Sequence, residues 1–381
     1  MSKLPVLLLL AAFGLTAFAA TPVPVEKHVT VAQVEQLLTA AHHQRDTKVA
    51  KQLAGLEMTE RVTSLRLSRW QADFPGTKTR EALLALADAS AFLDLPAADI
   101  PSIAMPDDAM RKQILSRTIE YVRTTIHQLP NLSATRSTTH FDDSPVMVTE
   151  NGGVFDMASG PGQFGPRIPL TLTKSGPRLL HGVSMAAILV TYLNGLEVKD
   201  AASGKRRGPR YQEMGLTTSG EFGPVLSIAA GDAVRGKVFW GHWEQGASGP
   251  LAVLRYSVPQ EISHYAVSFG VVGKDSKQQF PAYQGEIAVD PTNGTILRLT
   301  MESELNPPHQ TFKSSIVVEY GPVTIGNRDY ICPIKSEALS KLTNSSTDAQ
   351  RAVTETGYLT FLNDVSFSQY HVFRADARIL P

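Results

Sequence analysis

The residues of this chain that could carry out chemistry are ten histidines, one cysteine and several short glycine-rich runs. His42 and His43 are adjacent, and adjacent residues of a helix point about 100° apart, so they do not share a metal ion easily. His242 and Glu244 alternate on one predicted strand, and an ordinary exposed strand face is the favoured interpretation because no third partner is visible. His140 precedes two aspartates, where a polar turn is favoured. The sequence predicts no metal site and no catalytic residues.

Two glycine-rich runs resemble phosphate-binding loops in their letters. Residues 160–165 spell G-x-G-x-x-G, but no strand precedes them and Pro166 stands where a helix should begin. Residues 231–237 nearly match the P-loop sequence pattern. However, Val238 stands where a P-loop has the Ser or Thr whose hydroxyl holds Mg²⁺, so a turn is predicted. The hydrolase signatures G-x-S-x-G, S-x-x-K and H-E-x-x-H do not occur in the sequence. We therefore expect no cofactor and a protein that is not an enzyme.

The beginning of the chain indicates where the protein works. Lys3 precedes an apolar run, and small residues at Ala17 and Ala19 follow it, which is the order of a secretory signal peptide over residues 1–19. The run is too short to span a bilayer comfortably, and no later stretch reaches about 18 consecutive apolar residues. We expect cleavage after Ala19, a periplasmic or secreted protein, and no transmembrane span in the mature chain.

Charge and cysteine content narrow the possible partners. The chain carries 36 basic and 36 acidic residues, so nothing in its net charge favours nucleic acid as a partner. Cys332 is the single cysteine and excludes an intramolecular disulfide. A small buried hydrophobe on a strand is its favoured interpretation over a reactive thiol.

After a linker over residues 20–29, residues 30–130 carry apolar side chains at helical spacing. Thr30 and Gln33 fit a capping box that opens the first helix, and Pro130 ends the last one. Because the connections are short, we expect a small helical bundle. Five helices are predicted. The first begins near Thr30 and the second begins after Asp46. The other three span Met58 to Trp70, Thr79 to Leu93, and Met110 to Leu129.

Residues 131–381 show a period of two and predict an antiparallel β domain. The whole chain is therefore expected to be α+β, with an N-terminal helical bundle followed by a curved antiparallel sheet that forms an open half-barrel. The predicted strands are Ile188–Leu193, Lys237–Trp243, Leu251–Val258, Ser263–Val272, Tyr283–Val289, Thr295–Met301, Ser315–Tyr320 and Tyr358–Leu362.

One hairpin allows a register prediction. Residues 290–294 (DPTNG) place Pro and Gly where a turn needs a fixed and a positive φ. Pairing Ile287 with Leu297 gathers the apolar residues on one face of the sheet. The same register predicts an outward cross-strand ion pair between Glu286 and Arg298, worth about 0.2–1 kcal/mol.

Aromatic side chains on successive strands provide the candidate ligand-binding residues. Alternation places Leu254 and Tyr256 on one face of one strand, and Tyr265 and Phe269 on one face of the next. A packed core is the ordinary interpretation, and an apolar cavity lined by this face is the functional one. The sequence does not separate a filled core from a hollow one.

Part of the β region resembles a known family. Residues 283–299 (YQGEIAVDPTNGTILRL) resemble the hairpins of periplasmic lipoprotein-carrier (LolA-like) proteins, and residues 317–333 resemble the two strands that follow there. This resemblance implies an open β half-barrel. Through residues 85–93 and 220–224, the whole chain also resembles an uncharacterised secreted family of acidobacteria, which carries no assigned activity.

Together these observations predict an exported, non-enzymatic envelope protein that binds a lipid-like or other apolar ligand in its sheet. Its helical domain would dock an envelope partner. Two alternatives stay open. One is a protein–protein adaptor or envelope sensor without a small ligand, and the other is a hydrolase with an unrecognised site that uses His242 and Glu244.

Overall fold

A computed structural model describes residues 27–125, 129–143, 147–148, 154–155, 180–199, 216–269, 277–305, 311–343 and 358–372. The predicted signal peptide and the glycine-rich run 160–165 lie outside these residues. Among the helices in the described ranges, none is both long and apolar enough to cross a membrane. The helices are α1 (Val31–Ala41), α2 (Asp46–Ala54), α3 (Ser64–Asp73), α4 (Thr77–Ala89), α5 (Asp108–Thr125) and α6 (Pro224–Arg235).

Helices α1 to α4 share one hydrophobic core. The predicted capping box is confirmed, since the Thr30 side chain accepts from the backbone of Gln33 and the Gln33 side chain accepts from the backbone of Thr30. Asp46, at the start of α2, also caps α4, because its carboxylate accepts the backbone N–H of Thr79 at 2.8 Å. The buried side chains of this core include Val34, Leu38, Leu53, Trp70 and Leu83.

The strands form one large antiparallel sheet that is not closed. Ten strands are hydrogen-bonded in the order β7-β6-β3-β16-β15-β14-β13-β12-β9-β8, so β7 and β8 are its two edges. The ten strands are β3 (Leu132–Asp142), β6 (His181–Leu193), β7 (Leu196–Lys199), β8 (Lys237–Gly246), β9 (Gly249–Val258), β12 (Tyr283–Val289), β13 (Ile296–Glu304), β14 (Thr311–Ile325), β15 (Arg328–Thr343) and β16 (Tyr358–Val372).

Short strands pair outside this sheet. Each forms a two-stranded ladder, parallel between β1 and β2 and antiparallel in the other two pairs. The six short strands are β1 (Lys27–Val29), β2 (Leu56–Met58), β4 (Met147–Val148), β5 (Val154–Phe155), β10 (Val267–Phe269) and β11 (Lys277–Gln279).

The two faces of the large sheet differ in chemistry. The apolar face carries Ile287, Leu299 and Val318 and is covered by α5 and α6, whose Ile114 and Leu226 belong to the same core. The opposite face, here called the charged face, contacts residues 61–94 through ion pairs. Helix α5 therefore packs on the sheet, whereas α1 to α4 have a core of their own.

The predicted register of the 290–294 hairpin is wrong. Ile287 pairs with Leu299 instead of Leu297, and a bulge lies between Ala288 and Val289. The N–H of Asp290 donates to the carbonyl of Thr295, so the turn is longer than the sequence suggested, and the bulge adds a further residue. The total shift at Ile287 is two residues, which keeps the apolar residues on one face.

The structure also decides the predictions for residues 231–237, His140 and Cys332. Residues 231–235 lie in the last turns of α6 and not in a turn, and the helix ends at Gly236. His140 is buried in β3, with Nδ1 2.5 Å from Oδ1 of Asn363, and not in a polar turn. The interpretation of Cys332 is confirmed, because it is a free, fully buried thiol on β15. Burial raises the pKa of this thiol to about 12, which keeps it protonated and unreactive.

Candidate functional site

A cleft of about 800 Å³ opens between α5 and one end of the apolar face. Two hairpin turns form its other walls, one joining β12 to β13 and one joining β14 to β15. Its lining residues are Arg117, Glu120, Tyr121, Thr124, Leu129, Asn293, Thr295, Arg328, Asp329, Tyr330 and Ile331.

Close backbone contact holds the β12–β13 turn against α5. Gly294 has φ +77°, which favours glycine, and a Cβ there would collide with the backbone of Arg117. The guanidinium of Arg117 donates to the carbonyl of Pro291 at 2.8 Å. The turn glycine recognised in the sequence therefore serves a second purpose, because it lets a wall of the cleft approach the helix.

The cleft combines apolar walls with charged groups of both signs. Tyr121 and Ile331 pack against the core of the apolar face, and Leu129 and Tyr330 pack against a neighbouring core. Burial raises the pKa of Tyr121 to about 12, so its hydroxyl stays neutral. Such a cleft can bind an apolar molecule and place polar groups next to one end of that molecule.

The aromatic residues proposed from sequence lie elsewhere, in the packed core. Leu254, Tyr256 and Tyr265 are buried. The hydroxyl of Tyr256 donates to the carbonyl of Thr300 at 2.6 Å, and that of Tyr265 is 2.8 Å from Oγ of Ser314. Burial raises the pKa of Tyr265 to about 12 and that of Tyr256 well above its ordinary value.

The fourth predicted ligand-binding residue, Phe269, ends β10, and its side chain is outside the described part. The other three are separate from the cleft, whose walls do not include them. Sequence reasoning missed the cleft because its walls come from α5 and two distant turns.

His242 and Glu244 do lie near one another, with Nε2 3.9 Å from Oε2, but their surroundings are those of a structural network. Glu244 receives two bonds from Arg298, at 2.6 and 2.8 Å, and one from Arg61 at 2.7 Å. Burial by itself would raise the pKa of Glu244, yet the two guanidiniums outweigh it and lower the pKa to about 2. A carboxylate held in this state is a poor proton acceptor near neutral pH.

The network continues across the charged face as a ladder of alternating charge. Arg255 pairs in register with Glu286, and Arg298 pairs with Glu319, which in turn pairs with Lys335. The predicted contact between Glu286 and Arg298 exists at 3.5 Å, but it is inward, because Arg298 is 9% exposed. The prediction of an outward pair is therefore wrong.

A cluster of three buried carboxylates lies further along the same face. Asp88, Glu337 and Asp364 each place an oxygen within 4.8 Å of the others. The ammonium of Lys335 is 2.5 Å from both Asp88 and Glu337 and 3.4 Å from Asp364. The Lys335 ammonium occupies the position that a metal ion would take. The cluster is therefore a buried ion-pair contact between α4 and the sheet. Burial and the neighbouring carboxylates raise the pKa of Asp88, and burial also raises that of Glu337.

At the end of α6, the structure brings together an aspartate and a histidine that the sequence analysis did not pair. The buried carboxylate of Asp232 accepts from the backbone N–H of His264 and is 2.7 Å from its Nδ1. The hydroxyl of Tyr283 donates to the same carboxylate at 2.9 Å. Within the described part, no hydroxyl or thiol is hydrogen-bonded to Nε2 of His264, so the contacts tie a connecting segment to the helix and lack a nucleophile. The separation of 32 positions along the chain explains why no local pattern indicated the pair.

Comparison with protein-family models, curated proteins and solved structures found no match to this chain. The fold and the cleft are therefore the features from which a function is inferred.

Proposed function

We propose that this chain is an exported, non-enzymatic envelope protein that binds a lipid-like or other apolar molecule in the cleft between α5 and the sheet. The observation that carries the proposal is the cleft itself, with a volume of about 800 Å³ and walls that include two tyrosines, a leucine and an isoleucine. Ligand sites in proteins typically measure about 300–1,000 Å³ and combine apolar walls with a few polar groups.

The architecture supports this proposal. An open antiparallel sheet whose apolar face is covered by α5 and α6 agrees with the half-barrel that the carrier-like residues 283–299 imply. In this proposal, the sheet is a curved half-barrel and the N-terminal helices form a bundle that docks an envelope partner. The ligand lies at the end of the apolar face, and Leu254, Tyr256 and Tyr265 form the core that supports it.

Mass spectrometry of organic extracts tests the proposal. The protein spanning residues 20–381 is purified from a bacterial periplasm, together with two variants. Leu129→Trp fills the cleft, whereas Leu196→Trp makes the same change on the exposed edge strand β7, where the leucine is 65% exposed. We expect a stoichiometric apolar molecule in the wild type and in Leu196→Trp, and its loss in Leu129→Trp.

Two other results contradict the proposal in different ways. A wild-type protein that is folded and carries no apolar molecule overturns ligand binding. Equal loading of all three proteins overturns the assignment to the cleft.

A second candidate function, a protein–protein adaptor, is favoured by one observation. The connection between α4 and α5 exposes the apolar side chains of Ile103 and Met105, the latter 62% exposed, and Ala104 between them is held by a bond from Nε1 of Trp243. Exposed apolar groups of this kind are typical of partner-binding surfaces. A photo-crosslinking residue at position 105 should then give an adduct in intact cells, whereas one at Lys78, whose side chain is 66% exposed, should not.

A further inference from the structure

The cleft contains two arginines, Arg117, which is half-buried, and Arg328, which is exposed. Among the described residues, neither Arg117 nor Arg328 lies within 4 Å of a carboxylate oxygen, although Arg61, Arg66, Arg255 and Arg298 all do. Arg117 uses one N–H on the carbonyl of Pro291, and the side chain of Arg328 makes no hydrogen bond within the described part. Both guanidiniums therefore keep donors for another acceptor.

The carboxylates of the same cleft are already engaged. Glu120 lies 3.9 Å from the guanidinium of Arg123, one turn further along α5. Asp329 accepts a bond of 2.6 Å from the hydroxyl of Thr324 on the neighbouring strand. The formal charges of the cleft balance, two guanidiniums against two carboxylates, so any selectivity for an anionic group comes from the free guanidinium donors and not from net charge.

We infer that the ligand of this cleft is an anionic amphiphile, with its carboxylate or phosphate between Arg117 and Arg328 and its apolar chain against Tyr121, Leu129 and Ile331. This inference rests on the proposed function. A guanidinium offers a planar set of donors that matches carboxylate and phosphate oxygens in pairs. Arg117 is half-buried and anchored at Pro291, so binding an anion costs little ordering of its side chain.

The alternatives fit less well. A neutral lipid would leave the free guanidinium donors facing its polar end without a full acceptor. A cationic lipid would face two guanidiniums, while the carboxylates of Glu120 and Asp329 are held by other groups. Fatty-acid carboxylates and lipid phosphates share the chemistry that the arginines recognise, so the experiment must separate them.

Binding of three probes with the same sixteen-carbon chain tests the inference: hexadecanoate, hexadecyl phosphate and hexadecanol. Each is titrated into delipidated protein spanning residues 20–381 by competition with a fluorescent apolar dye. We expect one or both anions to bind at least about tenfold more tightly than the alcohol, the size of one charge-assisted hydrogen bond. The tighter of the two anions identifies the headgroup chemistry.

Arginine variants assign the effect to the cleft. Arg328→Gln should reduce the preference for the anion about tenfold while leaving hexadecanol binding unchanged, and Arg117→Gln should act in the same direction. Arg111→Gln is the matched control, because it lies on α5 outside the cleft and pairs with Asp108. The side chain of Arg328 is exposed and makes no bond within the described part, so a folding defect would not explain its effect.

The outcomes separate the two proposals. Equal binding of acid, phosphate and alcohol, unaffected by Arg328→Gln, overturns the anionic inference and leaves apolar-ligand binding intact. A protein that binds none of the probes and yields no apolar molecule on extraction overturns both.

Discussion

Replacing Glu244 by glutamine should show how strongly the charged face depends on a single buried carboxylate. Glu244 accepts three hydrogen bonds from Arg61 and Arg298, and all three side chains are at most 12% exposed. A glutamine has nearly the same shape but no charge, and its amide nitrogen would face a guanidinium. Two buried guanidiniums would then share only the remaining acceptors.

The magnitude follows from the pKa of Glu244. A fall from the ordinary value of 4.5 to about 2 corresponds to about 3 kcal/mol of stabilisation of the folded state, at about 1.4 kcal/mol per pKa unit. Breaking a buried ion pair by removing one partner costs about 3–5 kcal/mol, which agrees with this figure. We expect Glu244→Gln to lower the free energy of unfolding by about 3 kcal/mol at pH 7.

The pH dependence has a definite sign. Because the pKa of Glu244 is lower in the folded state than in the unfolded state, its contribution is present above about pH 4.5 and is lost as the pH falls toward 2. Urea unfolding at pH 7, 5, 4 and 3 should therefore show the wild type losing its advantage over Glu244→Gln on acidification. The free energy of unfolding of Glu244→Gln should not include the decrease on acidification that is due to protonation of Glu244.

The control is Glu302→Gln, which removes the same charge from a more exposed pair. Glu302 lies 3.2 Å from Lys313, and the two side chains are 22% and 36% exposed. Pairs of this kind contribute about 0–1 kcal/mol. If Glu244→Gln costs no more than Glu302→Gln at pH 7, or if the difference does not change between pH 7 and pH 3, the reasoning is refuted.

Four further substitutions test the packing around the sheet, each by urea unfolding. Lys335→Met should cost about 3–5 kcal/mol because it leaves buried carboxylates without a counter-ion, whereas Lys313→Met should cost less than about 1 kcal/mol. Glu337→Gln should gain stability relative to the wild type as the pH rises from about 4.5, because burial raises the pKa of Glu337 and its stability contribution is lost as the pH rises; an unchanged difference between the two proteins would contradict this. Gly294→Ala should cost more than about 1 kcal/mol through its positive φ and its collision with α5, and a neutral result would show that the turn can move away. Tyr256→Phe should cost about 1–3 kcal/mol by leaving a buried strand carbonyl without its donor, and a cost near zero would mean that water replaces the hydroxyl.

Much of the local structure could be predicted from the sequence because its causes are local. The capping box of Thr30 and Gln33 lies within one helical turn, and the apolar alternation of Tyr283–Val289 matches β12 from its first residue to its last. The burial of Cys332 on a strand also followed from its apolar neighbours. By contrast, α6 was missed, because its alanines and Gly231 lack the large apolar residues that make a helical period visible.

The arrangement of these elements was decided by tertiary contacts. The hairpin after β12 was predicted in the wrong register, since the longer turn and the bulge depend on how it packs against α5. The placement of α5 on the sheet also depends on contacts with residues far along the chain, such as the bond from Arg117 to Pro291, 174 residues away.

The sequence by itself determined the start of α1, the bounds of β12, which residues are apolar, and that no common hydrolase signature is present. Only the tertiary structure brought Arg61 to Glu244, 183 residues apart, and Asp88 to Lys335, 247 residues apart. It also formed the cleft from one helix and two turns. The physical reason is that periodicity and capping act over a few residues, whereas ion pairs and clefts depend on distances in space that a local pattern does not encode.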